Sequence, residues 1–136
     1  PSDSEVTVYD MKCVYGNLDA YINIKSAVVG GKRQKDDISK ADGLKAFYAD
    51  DINKQFFVAT FFIQFNANMS IEITKAIVFP IAWIPDIYVN PSNNGNLQSA
   101  YYKDLGDAVK RTNNQFIPLL HDAIQIAEKK KQEKKK

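Results

Sequence analysis

The sequence predicts an α+β domain: an antiparallel sheet of four to five strands in the order β-β-α-β-β-(β)-α-α, with the helices packed on the sheet. Three observations carry this expectation. The stretch from Lys54 to Val89 concentrates the apolar residues and holds the sole Trp. Segments before it alternate apolar and polar residues with a period of two, the mark of strands. Residues 44–52 and 97–127 instead space their apolar side chains three and four apart, the mark of helices.

Taken in order, Glu5–Tyr15 reads as a strand. Val6 and Val8 lie on one parity and Met11, Cys13 and Tyr15 on the other, which implies a bulge near Tyr9 and Asp10. Gly16-Asn17 is a turn, and Ala20–Val29 is the strand that returns from it. Ala20, Ile22, Ile24, Ser26 and Val28 share one face of that strand; Tyr21, Asn23 and Lys25 share the other. One face should be buried and one wetter, within an antiparallel hairpin. A polar loop follows Gly30-Gly31. A helix is then expected from Ser39 to Ile52, capped by Ser39 with Asp42, its apolar face made by Leu44, Phe47, Tyr48 and Ile52.

Gln55–Phe65 is apolar on both faces, which suits a strand covered on both sides. Asn66-Ala67-Asn68 turns the chain into a partner strand with Met69, Ile71 and Ile73 on its buried face. Pro80 and Pro85 cannot donate to a ladder, so Ile81–Val89 is expected as an edge strand or a strand broken by a kinked loop. The loop Asn90–Asn96 offers Asn94 or Asn96 as a helix N-cap. Leu97, Tyr101, Leu105, Ala108 and Val109 trace a first C-terminal helix. Phe116, Leu119, Leu120, Ala123, Ile124 and Ala127 trace a second, with Pro118 in its first turn and Thr112-Asn113-Asn114 as the interruption, so the segment is expected as two consecutive helices or one kinked helix. Residues 1–128 are thus expected to form one domain, and 129–136 a Lys-rich tail.

Composition narrows the function classes. The net charge is +2, but the last eight residues carry +5, which leaves −3 on the other 128. A folded nucleic-acid binder carries its positive surface on the domain, so the charge weighs against that class. One cysteine excludes an internal disulfide and leans towards a reducing compartment. The polar, acidic start lacks the features of a secretory signal and favours the cytoplasm. A processed N-terminus would instead allow a periplasmic or secreted location. The apolar run Ala76–Ile84 is far shorter than the ~20 residues of a spanning helix, so no transmembrane segment is expected.

Catalytic and metal chemistry find little support. A single His121 and a single Cys13 cannot make a structural zinc site, and neither metal nor cofactor is expected. Cys13 reads as a small buried apolar residue and His121 as an ordinary helical side chain. The carboxylate pairs Asp36-Asp37, Asp50-Asp51 and Asp104/Asp107 read as solvated surface. Gly30-Gly31-Lys32-Arg33 lacks phosphate-loop spacing. Lys32 and Arg33, with Lys129, Lys130 and Lys131, remain candidate contacts for an anion or a charged surface, including a membrane surface touched by the tail. Trp83, Ile84 and Tyr88, gathered around Pro85 beside an expected sheet edge, are the candidate contacts for a protein partner.

The function this predicts is a non-catalytic protein-interaction or assembly module, self-associating through an apolar sheet face or edge. The alternatives are a domain that binds a small lipid-like ligand and, behind it, a small enzyme.

Overall fold

The computed structural model describes residues 9–30, 36–92, 95–99 and 104–134. Their elements form an α+β arrangement of two sheets and two α-helices. The larger sheet has the order β1-β2-β4-β5, formed by β1 (Met11–Tyr15), β2 (Leu18–Val28), β4 (Gln55–Phe65) and β5 (Ile71–Pro80). β1 and β2 make the expected antiparallel hairpin, closed at Gly16, whose φ of 61° is open to glycine at little cost. Residues 5–8 of the expected first strand lie outside the described residues.

The sheet is mixed rather than wholly antiparallel. β4 runs antiparallel to β5 but parallel to β2, with Ala20 opposite Gln55 and Val28 opposite Ile63. The chain between β2 and β4 includes β3 (Asp36–Lys40) and helix α1 (Ala41–Asp50), the kind of long crossover that parallel neighbours require. That crossover, not a hairpin, joins the two central strands.

A second, three-stranded sheet has the order β3-β7-β6, with β6 at Tyr88–Val89 and β7 at Asn96–Ser99. The helix expected from Leu97 to Val109 is therefore absent where the chain is described. Asn96–Ser99 is instead a central strand with Leu97 and Ser99 fully buried, and Leu105–Asp107 is a 3₁₀ turn. The Leu97 and Leu105 spacing fits a helix, but pairing on both sides of β7 satisfies its backbone better than an isolated helical turn would. Tyr101 and Asn94 lie outside the described residues. Nor does Ser39 cap α1: it belongs to β3, the N-cap position is Lys40, and the Ala41 amide donates to the Gly95 carbonyl at 3.0 Å.

One helix, α2 (Asn113–Lys134), forms the C-terminal element, so the Lys-rich run up to Lys134 is the end of that helix. It starts five residues before Pro118. The start is set by Thr112 and Gln115: the Gln115 amide donates to Thr112 Oγ1 at 3.2 Å, and the Thr112 amide donates to Gln115 Oε1 at 2.9 Å. This reciprocal pair is a capping box.

The core lies between the sheets and the helices, on one side of the larger sheet. Phe47 of α1 meets Tyr21 of β2 and Phe56 of β4 edge to face, at centroid distances of 4.9 and 5.4 Å. Tyr48 meets Phe116 of α2 at 6.2 Å. Leu44, Leu97 and Leu120 are fully buried in the same cluster. Asn23 Nδ2 donates to the Ile38 carbonyl at 2.7 Å and ties β2 to β3 across the core.

Two predictions follow from this packing. The buried Tyr48 hydroxyl has no hydrogen-bond partner among the described residues, and burial pushes its pKa well above the ordinary phenol value of 10.0. Tyr48→Phe should therefore raise stability by ~1 kcal/mol in chemical denaturation at neutral pH. The raised pKa means that the folded chain keeps a proton that the unfolded chain releases. The stability tied to that proton is intact below pH ~10 and lost as pH rises further, so the gap between wild type and Tyr48→Phe should widen only on the alkaline side. Thr112→Ala, which removes the cap of α2, should cost ~1 kcal/mol in the same assay.

Candidate functional site: the open face of the larger sheet

Strand pairing sorts the side chains of the larger sheet onto two faces. Across it, Met11 pairs with Ile22, Ile22 with Phe57, and Phe57 with Pro80; Ile24 pairs with Ala59, and Ala59 with Val78. Partners directly opposite each other share a face, so these residues belong to one surface. The opposite face carries Tyr21, Phe56, Val58, Ile77 and Phe79, which are in the helix-covered core.

The face away from the helices is therefore apolar and open. On β2 the structure inverts the simple reading of the alternation. Tyr21, Asn23 and Ala27 turn inward, while Ile24 and Val28 are 42% and 45% exposed. Inward, Tyr21 gains aromatic contacts and Asn23 gains a carbonyl partner, which outweighs the aliphatic character of the other parity. Down β4, Phe57, Phe61 and Ile63 are half-buried, Ala59 is shielded between them, and Phe65 is 61% exposed. Cys13, paired with Ala20, is exposed on this surface instead of buried. Among the described positions assigned to this face, Ser26 and Gln55 are polar and none is charged.

A bulge completes the surface. The register of β4 against β5 shifts between Phe62 and Ile63: Phe62 faces Lys75, and Ile63 faces Ile73. Thr74 is the extra residue, and its hydroxyl donates to the Phe62 carbonyl at 3.3 Å. Without the shift, Thr74 and Glu72 would stand opposite Ile63 and Phe65, on the open face. With it, Ile73 and Ile71 take those places, each 63% exposed. The expectation that Met69, Ile71 and Ile73 form a buried face is thus corrected: within one chain all three are exposed.

The residues singled out from sequence lie elsewhere. Ile81–Trp83 is a 3₁₀ turn, and Ile84 is fully buried. The half-buried Trp83 donates from Nε1 to the Arg111 carbonyl at 3.1 Å and accepts from the Val109 amide at 2.9 Å. Arg111 Nη1 donates back to the carbonyls of Ala82 and Ile84 at 3.0 and 2.7 Å. Burial pulls the Arg111 pKa below its ordinary value, and Asp86 acts against that shift. Tyr88, on the edge strand of the small sheet, is half-buried, with the Lys130 ammonium 5.8 Å from its ring centroid. Trp83 also borders a groove of about 310 Å³ edged by Asn53, Gln55, Arg111, Asn113 and Asn114. Lys32 and Arg33 lie outside the described residues. Lys129 and Lys130 are exposed near the end of α2, and Lys131 is half-buried there.

The carboxylates expected as surface groups also have local tasks. Asp51 Oδ1 accepts from the Asn53 amide at 2.9 Å and Asp104 Oδ1 from the Gly106 amide at 2.8 Å, closing two turns. Asp50 pairs with Lys54 at 2.8 Å, and this hydrogen-bonded ion pair lowers its pKa. Among the described residues no group of three or more His, Cys, Asp or Glu is placed to hold a metal ion, and no helix is long and apolar enough to cross a membrane. Compared with known proteins, the chain matches no family model and no curated protein sequence.

The Arg111 contacts generate a prediction. Arg111→Met keeps the stem but removes both donors to the 82–84 turn, which leaves two carbonyls short of a partner. A loss of ~2–3 kcal/mol in urea denaturation is expected, with the Trp83 fluorescence maximum moving to the red as the indole loosens.

Proposed function

We propose that the chain is a non-catalytic assembly module that docks another protein surface through the open face of its larger sheet. The observation that carries this reading is the absence of charge across that face, completed by the bulge that turns Ile71 and Ile73 outward in place of Glu72 and Thr74. Antiparallel sheets with a solvated face ordinarily place polar residues there. Here the charges of these strands, Lys12, Asp19, Lys25, Glu72 and Lys75, belong to the other parity, and the apolar set faces out. A surface of four strands at ~4.8 Å spacing and nine residues at ~3.3 Å covers ~600 Å². That is at the top of what monomeric proteins expose as one apolar patch.

The alternatives have less behind them. A lipid-like ligand needs an enclosed apolar cavity, whereas the groove at Trp83 mixes Ile52, Pro80 and Ala82 with Asn53, Gln55 and Arg111, and the one at Tyr21 is edged by Asp19, Asp51, Asn53 and Lys54. A Cys13–His121 pair would need the two side chains to meet. Cys13 belongs to the open face and His121 to α2, on the covered side.

Cys13 gives the test, since it is the sole cysteine and stands on the face in question. In native extract of cells that make the chain, alkylation of Cys13 should be slower than in the urea-unfolded chain by about tenfold or more. Reaction at the unfolded-chain rate, both in extract and in the purified protein, would leave the face bare and sink the reading.

A further inference from the structure

We infer that the occupant of the open face is a second copy of this chain, packed face to face to give an eight-stranded sandwich. This rests on the docking reading above and makes it specific. Four features favour self-association over a different occupant.

The first is area. Two faces of ~600 Å² each remove ~1,200 Å² from water, above the ~1,000 Å² that a specific interface needs. The second is relief. Along the central strand the small Ala59 lies between the large Phe57 and Phe61, Ile63 and Phe65 follow, and Ala76 stands beside Phe61. A sheet packs on a sheet ~10 Å away by interdigitating such large and small side chains. A two-fold axis lets one surface supply both the ridges and the hollows.

The third is charge. An uncharged face offers nothing to select an acidic or basic partner, but it meets no repulsion from its own copy. The fourth concerns lipid. A face that lies on a membrane surface has basic and aromatic residues flanking it on the same side. In this chain Lys129 and Lys130 belong to α2, which packs on the covered side of the sheet, and Trp83 stands at the end of the sheet, where Gln55 and Pro80 border the same groove. The sandwich also gives β4 the cover on both faces that its sequence demands, one side from α1 and the other from the partner copy.

Sedimentation equilibrium from ~1 to ~100 μM tests the inference, a range centred on the micromolar affinities common at standard-size interfaces. Wild type should approach twice the 15.4 kDa chain mass. Cys13 alkylation should slow in step as concentration rises. Ile24→Lys with Val78→Lys puts two charges at the centre of the face, at positions 42% and 50% exposed within one chain. The pair should weaken the dimer by about 100-fold or more while circular dichroism stays native. Lys45→Glu, on the exposed side of α1, should leave the dimer intact.

A wild-type monomer up to ~100 μM, with Cys13 shielded in extract alone, would overturn self-association and keep the docking reading. Cys13 reactive everywhere would overturn both. A dimer that survives the double lysine variant uses another surface and also overturns the inference, as does a monomer that floats with zwitterionic phospholipid vesicles. Should the double variant fail to fold, the concentration dependence of Cys13 alkylation in wild type decides the matter unaided.

Discussion

The aromatic contact made by α1 organises the chain. Phe47 reaches the sheet at Tyr21 and Phe56, and its neighbour Tyr48 reaches α2 at Phe116. Adjacent residues on one short helix thus hold both the crossover that sets β2 beside β4 and the long helix that closes the core. These are large, rigid groups in edge-to-face geometry, the arrangement in which ring quadrupoles attract. With α1 seated there, β3 is brought against β2 through Asn23, and the second sheet grows from β3. Among the described residues, both helices and the second sheet lie on one side of the larger sheet.

That one-sidedness gives the bulge at Thr74 its meaning. A β-strand has a fixed period of two, and a single inserted residue exchanges its faces beyond the insertion. On the C-terminal side of the bulge, Ile77 and Phe79 point into the core, and Ile71 and Ile73 lie on its N-terminal side. Beyond it, the parity that would have sent Ile71 and Ile73 inward sends them outward. The strand thereby supplies apolar residues to the core at one end and to the open face at the other. Lys75 sits at the changeover, its ammonium 4.9 Å from the Phe62 ring centroid, so its stem covers the rim of the core while its charge stays wet.

Several elements were legible from residue pattern alone: the α+β class, the β1–β2 hairpin, the β4–β5 pair, and α1 to within two residues at each end. The doubly apolar β4 was also legible, and among the described residues the helices cover one of its two faces. Other features were hidden for identifiable reasons. Alternation in β2 marks a strand but does not say which parity turns inward, and Tyr21 and Asn23 settle that by contacts with distant residues. Leu97 is equally at home in a helix stripe and in a two-residue period, so only its pairing with Val89 decides. The Thr112-x-x-Gln115 box was visible but was masked by Asn113-Asn114, which reads as a break. Trp83 and Tyr88 read from sequence as candidate partner contacts; what the pattern could not show is that the Trp83 indole bonds the backbone at the entry of α2 and that Tyr88 lies beneath Lys130.

The parallel crossover also bears on how the chain reaches this state. Hairpins β1–β2 and β4–β5 join neighbours in sequence and can form in ~1–10 μs. Their union cannot, because β2 meets β4 only after the segment holding β3 and α1 has closed a long loop. On the ribosome, moreover, α2 is made after both hairpins, so the inner side of the paired hairpins waits for it with its phenylalanines uncovered. During that interval the nascent sheet is apolar on both surfaces, and a transient binder on the outward one would keep it from misassembly. The same strand surface would then be a liability during synthesis, before the core beneath it has closed.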